Sequence, residues 1–348
     1  MKITRETIDS PHGAITLYTL TNARGASVKL SSVGAGVVSV VVPDRQGRLD
    51  DVVIGYADPA DYFYDGPCAG KVPGRYANRI ARGRFTLEGT TYQLAINNGP
   101  NALHGGPEGF SHKLWHSQHD TSGVTFTLHS PDGDEHYPGN LVATARYSFN
   151  DEGELSLELK ATTDKTTVVN LTNHTYWNLA GENSGSVLDQ ELWLACSSYL
   201  PTDPTLIPTG EIAPVAGTPM DFTSRKALGK NIDNDFPALH YGKGYDNCWV
   251  VDDWHPGQLK KVALLVDRKS GRQLEVLTTQ PAVQVYTGNY LADSPAGKGA
   301  RRPYSDYDGV AIECQGMPDA PNHPNFPSQV LKPGEEYEQV IVFKLSAH

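Results

Sequence analysis

The stretch Leu155-Ser156-Leu157-Glu158-Leu159-Lys160 carries its leucines at every second position, with polar residues between them. Successive side chains of a β-strand point to opposite faces, so this run reads as a strand with one apolar and one polar face. A helix would scatter the same leucines around its axis. The alternation recurs on both sides. Val124, Phe126 and Leu128 alternate with threonines, and Ile341, Phe343 and Leu345 alternate with Val342 and Lys344. Turn formers stand between such runs: Asp132-Gly133, Asp151-Glu152-Gly153 and Lys332-Pro333-Gly334. Helix signals are few. Asp58-Pro59 predicts a short turn of helix up to Tyr62, and Thr223 or Ser224 a second one through Leu228. The pattern predicts an all-β protein, a large antiparallel β-sandwich with a few short helices.

Composition agrees. The 348 residues include 34 glycines and 24 prolines, about one residue in six, too many for a helical bundle. With 39% hydrophobic and 20% charged residues the chain is globular rather than disordered. Its net charge of −11 argues against general nucleic-acid binding, which needs clustered Lys and Arg, and leaves a neutral small molecule open as partner. Cys68, Cys196, Cys248 and Cys314 are far apart, which predicts neither a disulfide framework nor a zinc ribbon. The opening MKITRETIDSPHG has no apolar core of the secretory type, and the longest strongly apolar run, Val37–Val42, is far short of the about 20 residues that span a membrane. A cytoplasmic, reduced protein without membrane contact is expected, as a monomer or a homodimer.

Three segments carry polar groups of an unusual kind. In Val310–Gln315, Val310, Ile312 and Cys314 point one way and Ala311, Glu313 and Gln315 the other. In Ala282–Tyr286, Gln284 and Tyr286 oppose Val283 and Val285. Val169–His174 reads as a strand whose Asn170, Thr172 and His174 share a face. Solvated sheet surface is the default for such residues. An acid, amides, a histidine and a tyrosine are also the types that hydrogen-bond sugar hydroxyls and move protons. Together they point to a concave sheet face that binds a small polyol.

Seven motifs, in order along most of the chain, then carry a family resemblance: GRYANRI (Gly74–Ile80), LHGGPEGF (Leu103–Phe110), NLTNHTYWNL (Asn170–Leu179), LPTDPTLIPTGEI (Leu200–Ile212), GYDNC (Gly244–Cys248), VQVYTGN (Val283–Asn289), and the Glu313 strand followed by PDAPNHPNFPS. The chain resembles the aldose 1-epimerase, or galactose mutarotase, family. The resemblance implies a mutarotase-like supersandwich, a single aldose 1-epimerase domain over 1–348, and interconversion of the α and β anomers of free aldoses without cofactor or metal. It implies Glu313 as catalytic base and His174 as catalytic acid. It further implies His104 near the ring oxygen and anomeric centre, and Asn78, Arg79, Asp246 and Gln284 as groups that hold the hydroxyls.

The chemistry fits those residue types, since opening a hemiacetal needs one base and one acid. The acid has to be charged, so His174 is expected to be held protonated by a neighbouring carboxylate, with Asp246 as first candidate. Tyr62, Tyr64, Trp177 and Tyr286 are candidates for stacking on the sugar ring. His112, His116 and His119 read as surface histidines rather than a metal site, and Arg82 and Arg84 as a solvated strand edge. Two other functions stay open: a hexose-phosphate 1-epimerase, which needs arginines converging on a phosphate, and a non-catalytic sugar-binding sandwich. A glycoside hydrolase is disfavoured, because only Glu313 and Asp246 offer its carboxylate pair.

Overall fold

The alternating runs form strands where their period places them. In a computed structural model, which describes residues 1–299 and 302–348, they become Val124–Ser130, Glu154–Thr163 and Tyr337–Ala347. All three lie in one nine-stranded sheet and bury their apolar faces. Leu155 pairs with Phe343, and Leu157 with Ile341, so neighbouring strands present their large side chains to the same layer. Among the described residues, that sheet faces a second layer made of a five-stranded sheet (residues 2–51) and a six-stranded one. The bridge between Val53 and Trp177 joins these two. Every named strand pair is antiparallel, and a single apolar cluster draws residues from all three sheets. Trp177 reaches across the sandwich to Phe343, with ring centroids 5.1 Å apart.

The six-stranded sheet positions the site. Its central strands, Asp246–Val250, Ala282–Tyr286 and Val310–Gln315, pair so that Gln284 stands opposite both Glu313 and Cys248, while Asp246 faces Tyr286. Val283, Val285, Ile312 and Cys314 join the sandwich core. The other face of these strands, which sequence pattern assigns to solvent by default, is also covered. All six residues of Val310–Gln315 are buried. Asn78 and Arg79, His104 and His174, from the motifs Gly74–Ile80, Leu103–Phe110 and Asn170–Leu179, gather with Glu313 on this side.

Helix is scarce. Asp58 caps Pro59–Phe63 as expected, its carboxylate accepting the Ala60 N–H at 2.9 Å. The expected turn of helix from Thr223 is absent. Thr223 instead closes a turn on Asp221, and Lys226–Ala227 pairs as a strand with Glu191–Leu192. The α-helix is Pro237–Gly242, with proline at its first turn and Lys243 ending it at φ 58°. No helix of the described residues is long and apolar enough to cross a membrane.

One strand assignment also fails. Val169–His174 lies outside the sheet ladders, apart from a bridge of Asn170 to Tyr76. Its side chains take over the bonding that a neighbouring strand would supply. Asn170 donates to the Ala77 and Gly316 carbonyls and accepts the Gly316 N–H. Thr172 donates to the Cys314 carbonyl, and Asn173 to that of Gly70. The segment is therefore a buried arch of fixed shape, and His174 rides on it.

Candidate active site

His174 is held through its main chain. Its N–H donates to the Lys71 carbonyl at 2.8 Å, and its own carbonyl accepts the Gly70 N–H at 2.9 Å. Gly70 can make that contact because it lacks a side chain: at φ 75°, a Cβ there would stand 1.9 Å from the Val37 carbonyl oxygen. The imidazole Nε2 then lies 3.4 Å from Oε1 of Glu313, which projects from the middle of its strand. Both side chains are almost fully buried, and His174 Nδ1 and Glu313 Oε2 have no protein partner.

Asp246 extends the site along the sheet. It accepts a hydrogen bond from Gln284 Nε2 at 2.8 Å, and its other oxygen lies 3.9 Å from the Arg79 guanidinium. Arg79 comes from the short strand Arg79–Ile80, which pairs with Ala102–Leu103, and its Nε donates to Asn98 at 3.0 Å. Asn78 and His104 face each other across these two strands at φ 67° and 50°. The His104 N–H donates to the Asn78 carbonyl, while the Asn78 N–H donates to His104 Nδ1, both at 3.0 Å. Gly105 permits this turn: at φ 83°, a Cβ there would lie 1.9 Å from the Gly74 carbonyl oxygen.

Glu313, His174, His104, Asn78, Arg79 and Asp246 all line one cleft of about 620 Å³. Gln284 stands behind Asp246, itself almost fully buried, with its Nε2 donating to that carboxylate and its Oε1 without a protein partner. Residues the sequence reading passed over complete the wall: Tyr176, Tyr241, Tyr290, Asn98, Thr205 and Asp293. Tyr241 and Tyr290 closely precede or follow motifs already singled out, and that adjacency was the available signal. Of the proposed stacking aromatics, Tyr286 lines the cleft. Tyr62 and Trp177 are buried in the apolar clusters, and Tyr64 is an exposed ring stacked on His112. His116 and His119 are exposed, whereas His112 is partly buried with Nδ1 against the Phe63 carbonyl.

The electrostatics overturn one expectation. Glu313, not Asp246, is the carboxylate against His174, and His174 is not held charged in the free protein. Burial pushes its pKa down to about 4, while burial, reinforced by the Asp246 charge, raises Glu313 well above the usual carboxylate range. Burial also raises Asp246, opposed by Arg79 and Gln284. The free pair thus favours a neutral acid beside a neutral imidazole, one proton shared between two sites 3.4 Å apart.

This cleft has clear relatives. The family model described as aldose 1-epimerase matches residues 16–344. Galactose mutarotase of Rattus norvegicus is 43% identical over 339 residues, 97% of this chain and 96% of that protein. Aldose 1-epimerase of Escherichia coli (strain K12) is 41% identical over 340 residues, 95% of each chain. Among solved structures, a GalM/aldose epimerase homologue from C. elegans superposes with a TM-score of 0.87 at 30% identity, and galactose 1-epimerase from Lactobacillus acidophilus NCFM with 0.86 at 29%, each covering 99% of both chains. With family, fold and cleft in agreement over nearly its whole length, the chain belongs to the aldose 1-epimerase family.

Proposed function

We propose that this protein is a mutarotase, carried by one domain over 1–348, in which Glu313 and His174 open and reclose the ring of a free aldose such as galactose or glucose. The observation that carries this reading is the Glu313–His174 contact of 3.4 Å, buried, with an unpartnered atom on each side and a polyol-sized cleft above it.

The reaction uses one proton on the pair. Glu313 as carboxylate takes the proton of the C1 hydroxyl, and His174 as imidazolium gives its proton to the ring oxygen. The C1–O5 bond breaks as the C1 carbonyl forms. The pair is then neutral on both sides, which is the state burial favours, so the open-chain aldehyde is matched to the resting protonation of the site. Rotation about C1–C2 presents the other carbonyl face, and the same steps run backwards. Each positioned proton-transfer group supplies about 10²–10⁴-fold, and holding both against one substrate adds an entropic advantage. Arg79 stays protonated and serves as a hydrogen-bond donor to hydroxyls, with Asp246 as acceptor beside it.

A phosphorylated sugar fits this cleft poorly. Among the described lining residues, Arg79 is the cation, and it stands against Asp246, with Glu313 and Asp293 also present. The test is polarimetry on freshly dissolved α-D-glucose, α-D-galactose and α-D-glucose 6-phosphate. Acceleration of the two free sugars over the spontaneous decay, with little for the phosphate, is expected. Acceleration of the phosphate alone would replace this reading with that of a hexose-phosphate epimerase.

A further inference from the structure

The run Pro318-Asp319-Ala320-Pro321-Asn322-His323 follows directly on the Glu313 strand, and the proton exchange above makes no use of it. Asp319 precedes the helical turn Ala320–Asn322, where an aspartate ordinarily caps the turn's own N–H groups. Here it caps none of them. Its carboxylate is turned to another motif instead. Oδ1 accepts the main-chain N–H of Ala81 at 2.9 Å, and the Asp319 N–H donates to the Arg79 carbonyl at 2.8 Å. Asp319 therefore brackets the chain from Arg79 to Ala81.

Arg79 needs such a hold. Its strand, Arg79–Ile80, pairs with the equally short Ala102–Leu103, and so small a ladder is marginal by itself. With Ile80 extended at φ −123° and ψ 124°, the Arg79 carbonyl and the Ala81 N–H point to one edge, so Asp319 serves as the strand's second neighbour. The bracket is itself braced. Asp319 is 2% exposed, and it accepts the Asn322 side chain on Oδ1 at 2.6 Å while Oδ2 meets His323 Nε2 at 3.0 Å. Asn322 also donates to the Arg84 carbonyl. The Tyr76 hydroxyl donates to the Met317 carbonyl and accepts the Ala320 N–H. A buried carboxylate is costly unless its oxygens are bonded, and both oxygens of Asp319 are.

We propose that Asp319 is a positioning residue for the reaction: by fixing the main chain at Arg79–Ala81, it holds the Arg79 guanidinium where the sugar hydroxyls meet it beside Asp246. This rests on the mutarotase reading. The guanidinium stands 3.9 Å from Asp246, with its Nε on Asn98 at 3.0 Å, so a shift of the short strand moves it relative to both. Asp319 lies outside the cleft wall and acts through Arg79. It also leaves the Glu313 strand on the same segment, so one stretch of chain sets both the base and a group that orients the sugar over it.

Mutarotation kinetics on galactose test this with Asp319→Ala, which removes the acceptor of the Ala81 N–H, and Asp319→Asn, which keeps an oxygen there and tolerates φ 57°. Loss of a contact that only holds the sugar appears in KM. Asp319→Ala should raise KM about tenfold, with kcat within about threefold of wild type, and Asp319→Asn should stay within about threefold in both. In an Arg79→Ala background, Asp319→Ala should add nothing to KM, because two changes on one contact do not add. Urea unfolding checks that each variant is folded. If Asp319→Ala is not, Asn322→Ala, which removes one bond to the carboxylate, carries the same test with a rise in KM of about twofold to threefold. A fall in kcat at unchanged KM, a rise in KM that persists in the Arg79→Ala background, or an unchanged KM would overturn the proposal. Wild type that fails to accelerate mutarotation would defeat the underlying reading instead. The Arg79 Nε–H signal of 15N-labelled protein, expected to exchange with solvent faster in Asp319→Ala than in wild type, would still decide the positioning.

Discussion

Two buried acid–base pairs stand next to each other, one lining the cleft and one behind it, and they are built in opposite ways. The side chains of Lys71 and Asp65 are both fully buried, and each of their polar atoms has a partner. Lys71 Nζ donates to Asp65 and to the Tyr62 carbonyl, and Asp65 accepts the Tyr56 hydroxyl at 2.7 Å and the Ala69 N–H at 2.8 Å. Glu313 and His174 are about as deep, but each keeps a polar atom without a partner. The main chain connects the pairs, since the Lys71 carbonyl accepts the His174 N–H. Depth of burial does not separate them. The completeness of their hydrogen bonds does: a closed pair fixes a loop, and an open pair is completed by a ligand.

The sharpest way to break this contrast is to neutralise one member of each pair. Glu313→Gln should lower kcat by about 10⁴-fold, the upper end of what one proton-transfer group supplies, while the protein stays folded by circular dichroism. Lys71→Met should do the reverse. It strands a buried carboxylate and should cost about 3–5 kcal/mol of stability in urea unfolding. Should Lys71→Met unfold at the wild-type midpoint, the closed pair is not structural and the contrast fails.

Stability against pH sharpens it further. Glu313 has a raised pKa in the folded state, so its favourable contribution is complete below about 4.5, the unfolded value, and is lost as pH rises toward the folded value. His174 has a depressed pKa, so its contribution is complete above about 6.5 and is lost as pH falls toward about 4. Glu313→Gln should therefore gain Tm over wild type at pH 8 but not at pH 4. A His174→Gln variant should show its gain on the acid side, between pH 6.5 and 4. Identical pH dependence in the two variants would mean that burial does not set these groups. The smallest effect is expected on the core face of the same sheet. Asn247 is buried there with both amide atoms unpartnered and lies away from the cleft wall. Asn247→Leu should leave turnover unchanged and raise stability by about 1 kcal/mol in urea unfolding.

Much of the fold was legible because period-two alternation is written directly in residues such as Leu155, Leu157 and Leu159. The Glu313 strand also read correctly, down to which side chains share a face. Other features were not local enough to read. The arch before His174 looks like a strand because Asn170, Thr172 and His174 fall at every second position, and only the bonds of Asn170, Thr172 and Asn173 to the Ala77, Cys314 and Gly70 carbonyls show otherwise. The helix Pro237–Gly242 is too short to display a helical period. The partner of His174 was misread because charge attraction was weighed without burial. The 3.4 Å approach of Glu313 depends on chain segments far apart in sequence.

The most direct test of the shared-proton pair is anomeric exchange, followed by NMR saturation transfer between the α and β C1 protons of galactose at equilibrium. Wild type is predicted to transfer saturation between the anomers well above the spontaneous rate. Glu313→Gln and His174→Gln should each fall back toward the spontaneous rate, and the double variant should be scarcely worse than either, because one proton serves both groups. Losses that multiply in the double variant, or exchange that persists in Glu313→Gln, would contradict the account.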